Sequence, residues 1–226
     1  MNRLGEQPDV GDLVRVSVDG TAVEANLSVP EEAEGVVLFA HGTGSSRHSP
    51  RNNFVGRELR QGGLATLLID LLTPQEKEVD RRTRRIRFDI DRLASRVTGA
   101  VDWLHEQPKT GELHVGVFGS STGAAGALIA AFRRPDVVEA VVSRGGRVDM
   151  AEAVLDQVEA PSLFIVGGND TQVLDLNRQA LAQLETEKKL EVIAGAGHLF
   201  EEPGALDQVA RLACEWFQRH LTAQGG

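Results

Sequence analysis

The chain has 226 residues, 41% of them hydrophobic and 25% charged, a balance that belongs to a globular protein with a core of ordinary size and excludes disorder or a fibre. Its formal charge of −9 repels polyphosphate backbones and acidic membrane surfaces, so neither nucleic acid nor a membrane is an expected partner. The opening MNRLGEQPDV has no apolar export region, and the most apolar run, LATLLIDLL, is nine residues long and contains Asp70; a cytoplasmic location is the expectation. The single cysteine, Cys214, forbids an internal disulfide and falls in the apolar rhythm of a C-terminal helix, as a buried, inert thiol would.

From Leu13 to Val29 apolar and polar residues alternate around Asp19-Gly20, which predicts a β-hairpin. GVVLFAHG then begins a series of short apolar runs suited to strands buried on both faces. The others are LATLLID (64–70), LHVGVFG (113–119), VVEAVVS (137–143), PSLFIVGG (161–168) and KLEVIAG (189–195). Between them lies helical periodicity. Ile86, Ile90, Leu93, Val97, Val101 and Leu104 form one apolar stripe on a helix ending near Pro108. Shorter patterns predict helices over 53–60, 123–132, 150–158 and 176–184, and Leu206, Val209, Leu212, Ala213, Trp216 and Phe217 mark a closing helix. Strands alternating with helices imply right-handed crossovers and a mostly parallel sheet covered on both faces, an α/β architecture read as one domain over 1–226.

Within this frame VFGSSTGAAGA carries a G-x-S-x-G pattern at Gly119, Ser121 and Gly123. The run before it reads as a strand and the run after it as a helix, so Ser121 falls on the tight strand-to-helix turn that a nucleophile elbow requires. Glycines flank such a serine because side chains there would meet neighbouring backbone, and the free N–H groups of the following helix face an anion beside the serine oxygen. The bland reading of the same residues is a helix cap. A serine nucleophile needs a base and a group that orients the base. FIVGGND delivers Asp170 and LEVIAGAGHLF delivers His198, each just past the C-terminal end of a proposed parallel strand, the edge where open α/β sheets place ligands. The fourth element, FAHGTGSSRHSPRN, follows the first buried parallel strand; the backbone N–H groups of Thr43 and Thr122 are the candidate oxyanion donors. His41 competes with His198 as base but stands where it would brace the loop. His41 and His48 have no carboxylate or thiolate at ligand spacing, so no metal is expected.

The H-G at 41–42, G-S-S-T-G at 119–123, G-G-N-D at 167–170 and G-H at 197–198 resemble, in order and spacing, the oxyanion loop, nucleophile elbow, acid and base of the α/β-hydrolase superfamily. The likeness runs from about Leu13 to Leu221, and the chain is most similar to the compact dienelactone-hydrolase-like esterases. The resemblance implies an eight-stranded sheet, antiparallel at its start, and serine acyl transfer without a cofactor. Dienelactone hydrolase itself uses cysteine where this chain has Ser121, so the lactone specificity does not carry over. Only Arg144 to Ala160 separate two successive strands where many relatives insert a lid, so an open site is expected, shaped by loops 43–57, 71–85, 144–150 and 171–175.

Several residues near that site keep two readings. Arg47 and Arg144 either meet a substrate carboxylate or brace loops, Arg144 through Asp149. Asp149 is the alternative acid to Asp170. Phe54 and Phe200 either line an acyl pocket or belong to the core. The arginines of RRTRRIR (81–87), flanked by acidic residues, read as a solvated loop and helix start rather than an anion grip. The expected substrate is a small ester, lactone or thioester. An acyltransferase using the same triad and a catalytically silent scaffold that binds a small ligand are the alternatives.

Overall fold

In a computed structural model describing residues 11–18, 20–42 and 44–222, the chain forms an eight-stranded sheet in the order β1-β2-β4-β3-β5-β6-β7-β8. β1 (Asp12–Val18) and β2 (Thr21–Ser28) make the expected antiparallel hairpin, with Asp19 of its turn outside the described residues. β2 also runs antiparallel to β4 (Ala65–Ile69). From β4 onward the sheet is parallel, through β3 (Gly35–Ala40), β5 (His114–Ser120), β6 (Val138–Arg144), β7 (Ser162–Gly167) and β8 (Lys188–Ile193). Every residue of β3, β4 and β7 is buried, which is why these strands read as unbroken apolar runs rather than alternating ones. β8 closes the edge, and only Ile193 of its residues is buried.

Helices cover both faces. α1 (Pro50–Gln61) and α6 (Ala205–Leu221) pack on one, enclosing Val37, Phe39, Phe118, Val142, Ile165 and Phe217. The other face carries α3 (Ile90–Glu106), α4 (Thr122–Arg133), a 3-10 segment (Val148–Gln157) and α5 (Thr171–Gln183) over a larger core of aliphatic side chains. The apolar stripe on α3 is buried at Leu93, Val97, Val101 and Leu104. No helix among the described residues is long and apolar enough to cross a membrane.

The departures from the sequence reading have local causes. The helix expected from Ile86 starts at Ile90, because the Asp89 carboxylate accepts a hydrogen bond from the Arg92 N–H (3.1 Å) and caps it there; Ile86–Phe88 form a separate 3-10 turn. The segment 71–85, expected to be a loop, contains the helix α2 (Pro74–Thr83). Thr73 and Glu76 form a reciprocal capping box at its start, and Pro74 occupies the first turn, where its missing N–H costs nothing. α5 starts at Thr171 rather than near 176 and buries Val173 and Leu174. Thus 50–57, most of 71–85 and 171–175 are helical, and the edge of the sheet is shaped by helix ends more than by loops. Between β6 and β7 only the 3-10 segment intervenes, packed against α4 and α5, and no lid domain is formed among the described residues.

Candidate active site

Ser121 lies between β5 and α4 with φ 50° and ψ −124°, a left-handed backbone conformation that non-glycine residues adopt only when their surroundings force it. The surroundings do force it. A Cβ on Gly119 would stand 2.4 Å from the Ala124 Cα, and one on Gly123 would stand 2.2 Å from the Ala40 carbonyl oxygen. Gly42 presses from the other side, where a Cβ would be 2.8 Å from the Ser121 Cβ. The Ser121 N–H donates to the Arg144 carbonyl (3.2 Å), and its own carbonyl accepts from the N–H groups of Ala124 (3.1 Å) and Arg147 (3.0 Å). The turn is therefore held by β3, β6 and the start of α4 at once.

His198 and Asp170 are brought together. His198 Nδ1 lies 2.6 Å from Asp170 Oδ2. Asp170 stands at the N-terminus of α5 yet makes no side-chain cap, leaving its carboxylate to the imidazole. The loops carrying the two residues are laced by backbone. Gly168 N–H donates to the Ile193 carbonyl (2.8 Å), Asn169 N–H to Ala196 (2.9 Å), and the Asn169 amide to the Gly195 carbonyl (2.7 Å). A Cβ on Gly167 would sit 2.4 Å from the Ala196 oxygen, so G-G-N-D needs its first glycine for this close approach. Glu202 accepts from the Gly197 N–H (2.9 Å) and fixes the turn before His198. The imidazole faces Gly145, whose absent Cβ would be 3.5 Å from Cε1 and Nδ1; Gly145 directly follows the residue whose carbonyl holds Ser121. Ser121, Asp170 and His198 thus gather around the ends of β5, β6, β7 and β8.

Asp149 is not part of that group. Arg147 holds it in a two-pronged pair (2.9 and 2.8 Å), and this partner is Arg147 rather than the expected Arg144. His41 is buried and serves as a brace. Its Nε2 accepts from the Leu71 N–H (3.0 Å) and Nδ1 approaches the Gly42 carbonyl (2.9 Å), so the ring ties the end of β3 to the end of β4. Burial pushes its pKa down, which keeps the ring neutral and able to accept from Leu71. Thr122 is buried at the first turn of α4. Thr43 lies outside the described residues.

Arg47 is engaged through both terminal guanidinium nitrogens: it is ion-paired with Asp70 and, at 2.6 Å, with Glu24, while its backbone N–H donates to Asp70 Oδ1 (3.0 Å) and its buried Nε is left without a partner. Lys77 adds a third contact to Asp70 (2.9 Å). Burial alone would raise the Asp70 pKa, but the hydrogen bonds and charges of Lys77 and Arg47 outweigh it and hold the carboxyl below the usual carboxylate range. This is the bracing role for Arg47. Phe200, with φ 54°, is 2% exposed in the core under α1 and α6, so its ring is packing rather than pocket lining. Arg144 is also buried, 8% exposed, but in a different condition. Its Nε and Nη1 have no hydrogen-bond partner, and burial, reinforced by the charge of Arg51, pushes its pKa down to about 10.

A cavity of about 380 Å³ opens beside Thr122, between His41-Gly42, Leu72 and the cationic side chains of Lys77, Arg81 and Arg87. Its basic wall comes from α2 and the turn after it, which the sequence reading left as a solvated loop. The signal that could have found it is TPQE: a Thr, then Pro, then Glu three residues on opens a helix and orders the residues that follow. Among the described residues no group of three or more His, Cys, Asp or Glu side chains is arranged to hold a metal ion.

The strand order and the gathering of Ser, Asp and His at one edge define the α/β-hydrolase class. More narrowly, residues 23–223 match the model of the dienelactone hydrolase family, and the chain belongs to that family. It resembles the crystal structure of dienelactone hydrolase from Anabaena variabilis, with a TM-score of 0.92 and 57% identity, covering 93% of this chain and 98% of that one. Est1E from Butyrivibrio proteoclasticus shares the fold at a TM-score of 0.76 and 17% identity, over 92% of this chain and 98% of that one. A Mycobacterium tuberculosis protein named "Putative phosphoribosyl transferase" is 52% identical over 212 residues, 94% of this chain. The chain spans 47% of that relative's length.

Proposed function

We propose that the chain is a serine hydrolase that cleaves small carboxylic esters, lactones or thioesters through an acyl-enzyme. Ser121 Oγ attacks the acyl carbonyl and loses its proton to His198. Asp170 holds His198 in the tautomer that carries its proton on Nδ1 and steadies the imidazolium. The Thr122 and Thr43 N–H groups receive the oxyanion. His198 then protonates the leaving group, and water reverses the sequence to release the acid. The observation that carries this reading is the Asp170–His198 contact of 2.6 Å, formed by two loops laced together through their backbones, with a serine held at positive φ at the end of β5. We read the phosphoribosyl transferase name of the mycobacterial relative as belonging to the part of its length that this chain does not match.

The test is intact-mass spectrometry after incubation with a fluorophosphonate probe. A single adduct on the wild type that Ser121→Ala and His198→Ala both suppress is expected. A folded wild type that takes no adduct and hydrolyses no short acyl ester would overturn the proposal.

A further inference from the structure

Arginines in this molecule are, as a rule, answered by carboxylates. Arg47, Arg87, Arg92, Arg96, Arg134 and Arg147 all meet Asp or Glu within 3.1 Å. Arg144 breaks the rule while being more deeply buried than most of them. Its guanidinium makes no hydrogen bond or ion pair among the described residues, and two of its nitrogens are sealed from water as well. The charge that acts on it is another cation, Arg51 in the first turn of α1. An isolated buried charge is strongly unfavourable unless something pairs with it, and a guanidinium stays protonated even here. A mere loop brace would hydrogen-bond the loop; this side chain holds nothing.

Its position says what it waits for. Arg144 is the last residue of β6, paired in register with Ser120 on one side and Ile165 on the other. Val142, two residues earlier, faces the core under α1 and α6, so Arg144 projects to that same face at the sheet edge. Its carbonyl holds the Ser121 N–H, and the next residue, Gly145, touches the His198 ring. Arg51 is tied at 3.2 Å to Glu201, three residues beyond His198, in an exposed pair that spans α1 and the His198 loop. The only carboxylate that these contacts place nearby is thus already engaged by Arg51.

We propose that Arg144, rimmed by Arg51, is an anion-binding site beside the candidate nucleophile, taking the carboxylate or phosphate oxyanion that the fork of a guanidinium fits. The anion comes either from an acidic group on the substrate, in which case the site rests on the serine-hydrolase reading and narrows its substrates to acidic esters, or from a free anion in solution. The two sources share one chemistry and separate by experiment.

In the first arm, kcat/KM is measured for a matched pair of p-nitrophenyl esters, the glutarate half-ester and the neutral valerate, with wild type, Arg144→Met and Arg144→Lys. A substrate-borne anion predicts that wild type prefers the acidic ester and that the acid-to-neutral ratio falls about 10- to 100-fold in Arg144→Met, less in Arg144→Lys. In the second arm, thermal melting is followed as inorganic phosphate is added at constant ionic strength. A free anion predicts a rise in Tm for wild type that Arg144→Met lacks. Without added anion Arg144→Met melts no lower than wild type, because the guanidinium has no partner to lose. The proposal is overturned if wild type shows neither the acidic preference nor a phosphate-dependent rise, or if Arg144→Met lowers Tm while both readouts stay as in wild type. Failure of the serine-hydrolase reading is a separate result, no fluorophosphonate adduct and no ester turnover; the melting arm then decides the anion site alone. If Arg144→Met does not fold, wild type and Arg144→Lys supply the same readouts.

Discussion

Two stretches of chain leave the same edge of the sheet and are ordered by opposite means. The turn from Gly119 to Gly123 is fixed by sterics: glycines admit backbone within 2.2 to 2.4 Å of where side chains would stand, and Ser121 takes the strained conformation that remains. The connection from Asp70 to Ile90 is fixed by charge. Asp70 gathers Arg47 and Lys77, Asp80 takes Arg87, and Glu76 takes Arg92 and Arg96, across elements separated in sequence. Steric order, even where β3 and β6 impose it, leaves its pattern in five residues, whereas ionic order is a set of long-range pairings that no short window reveals.

The largest effects should come from the steric region. Ser121→Ala is expected to lower kcat for a short acyl ester by about 10⁴-fold or more while leaving the fold intact by circular dichroism. Asp170→Asn should cost about 10⁴-fold, because the amide favours the wrong imidazole tautomer. Retention of a tenth of the activity by Asp170→Asn would mean that another group orients His198. Gly123→Ala tests the turn itself: the new methyl would meet the Ala40 and His41 carbonyls, and a loss of roughly 3 kcal/mol in urea unfolding is expected.

The same contrast explains what the sequence reveals. The hairpin, the parallel strands and the four site motifs are visible because each writes its constraint into a short run: alternation, unbroken apolarity, or glycines where another segment passes close. G-G-N-D and G-A-G-H are legible for the same reason, since their glycines permit the lacing that brings Asp170 to His198. The helix α2 is not, because its residues are nearly all polar and an amphipathic stripe is what a periodicity search detects. Nor could sequence tell that Arg47 braces through Asp70 and Glu24 while the Arg144 guanidinium has no carboxylate: both arginines stand at or beyond the C-terminal end of a strand, and the difference lies in which carboxylates the fold brings within reach.

The ionic region should respond to charge and pH. Asp70 is 4% exposed and answers two cations, so Asp70→Asn leaves Arg47 with half of its pairing and should cost about 3 kcal/mol at neutral pH. The sign with pH follows from the depressed folded-state pKa. The unfolded chain takes up the proton first as pH falls, so the stabilisation is complete above the ordinary carboxylate range and disappears through that range and below it. Wild type should therefore lose its advantage over Asp70→Asn in acid; a stability gap constant from neutral pH to pH values well below that range would show that Asp70 acts by packing and not by charge.

The smallest effect separates the two means of ordering within one helix. Thr73 caps α2 by accepting from the Glu76 N–H (3.1 Å), and the Glu76 carboxylate returns a bond to the Thr73 N–H (2.8 Å) while also holding Arg92 and Arg96. Thr73→Ala removes one local bond and should cost about 1 kcal/mol, nearly unchanged by salt. Glu76→Gln keeps the cap geometry but removes the charge that ties α2 to α3, so its cost should shrink as salt screens the surviving ions. If charge orders this connection, amide exchange over 74–83 rises more in Glu76→Gln than in Thr73→Ala at low salt, and the two converge at high salt. The reverse ranking would make α2 a helix held by its own cap, ordered locally after all, and the contrast with the Gly119–Gly123 turn would then be one of degree.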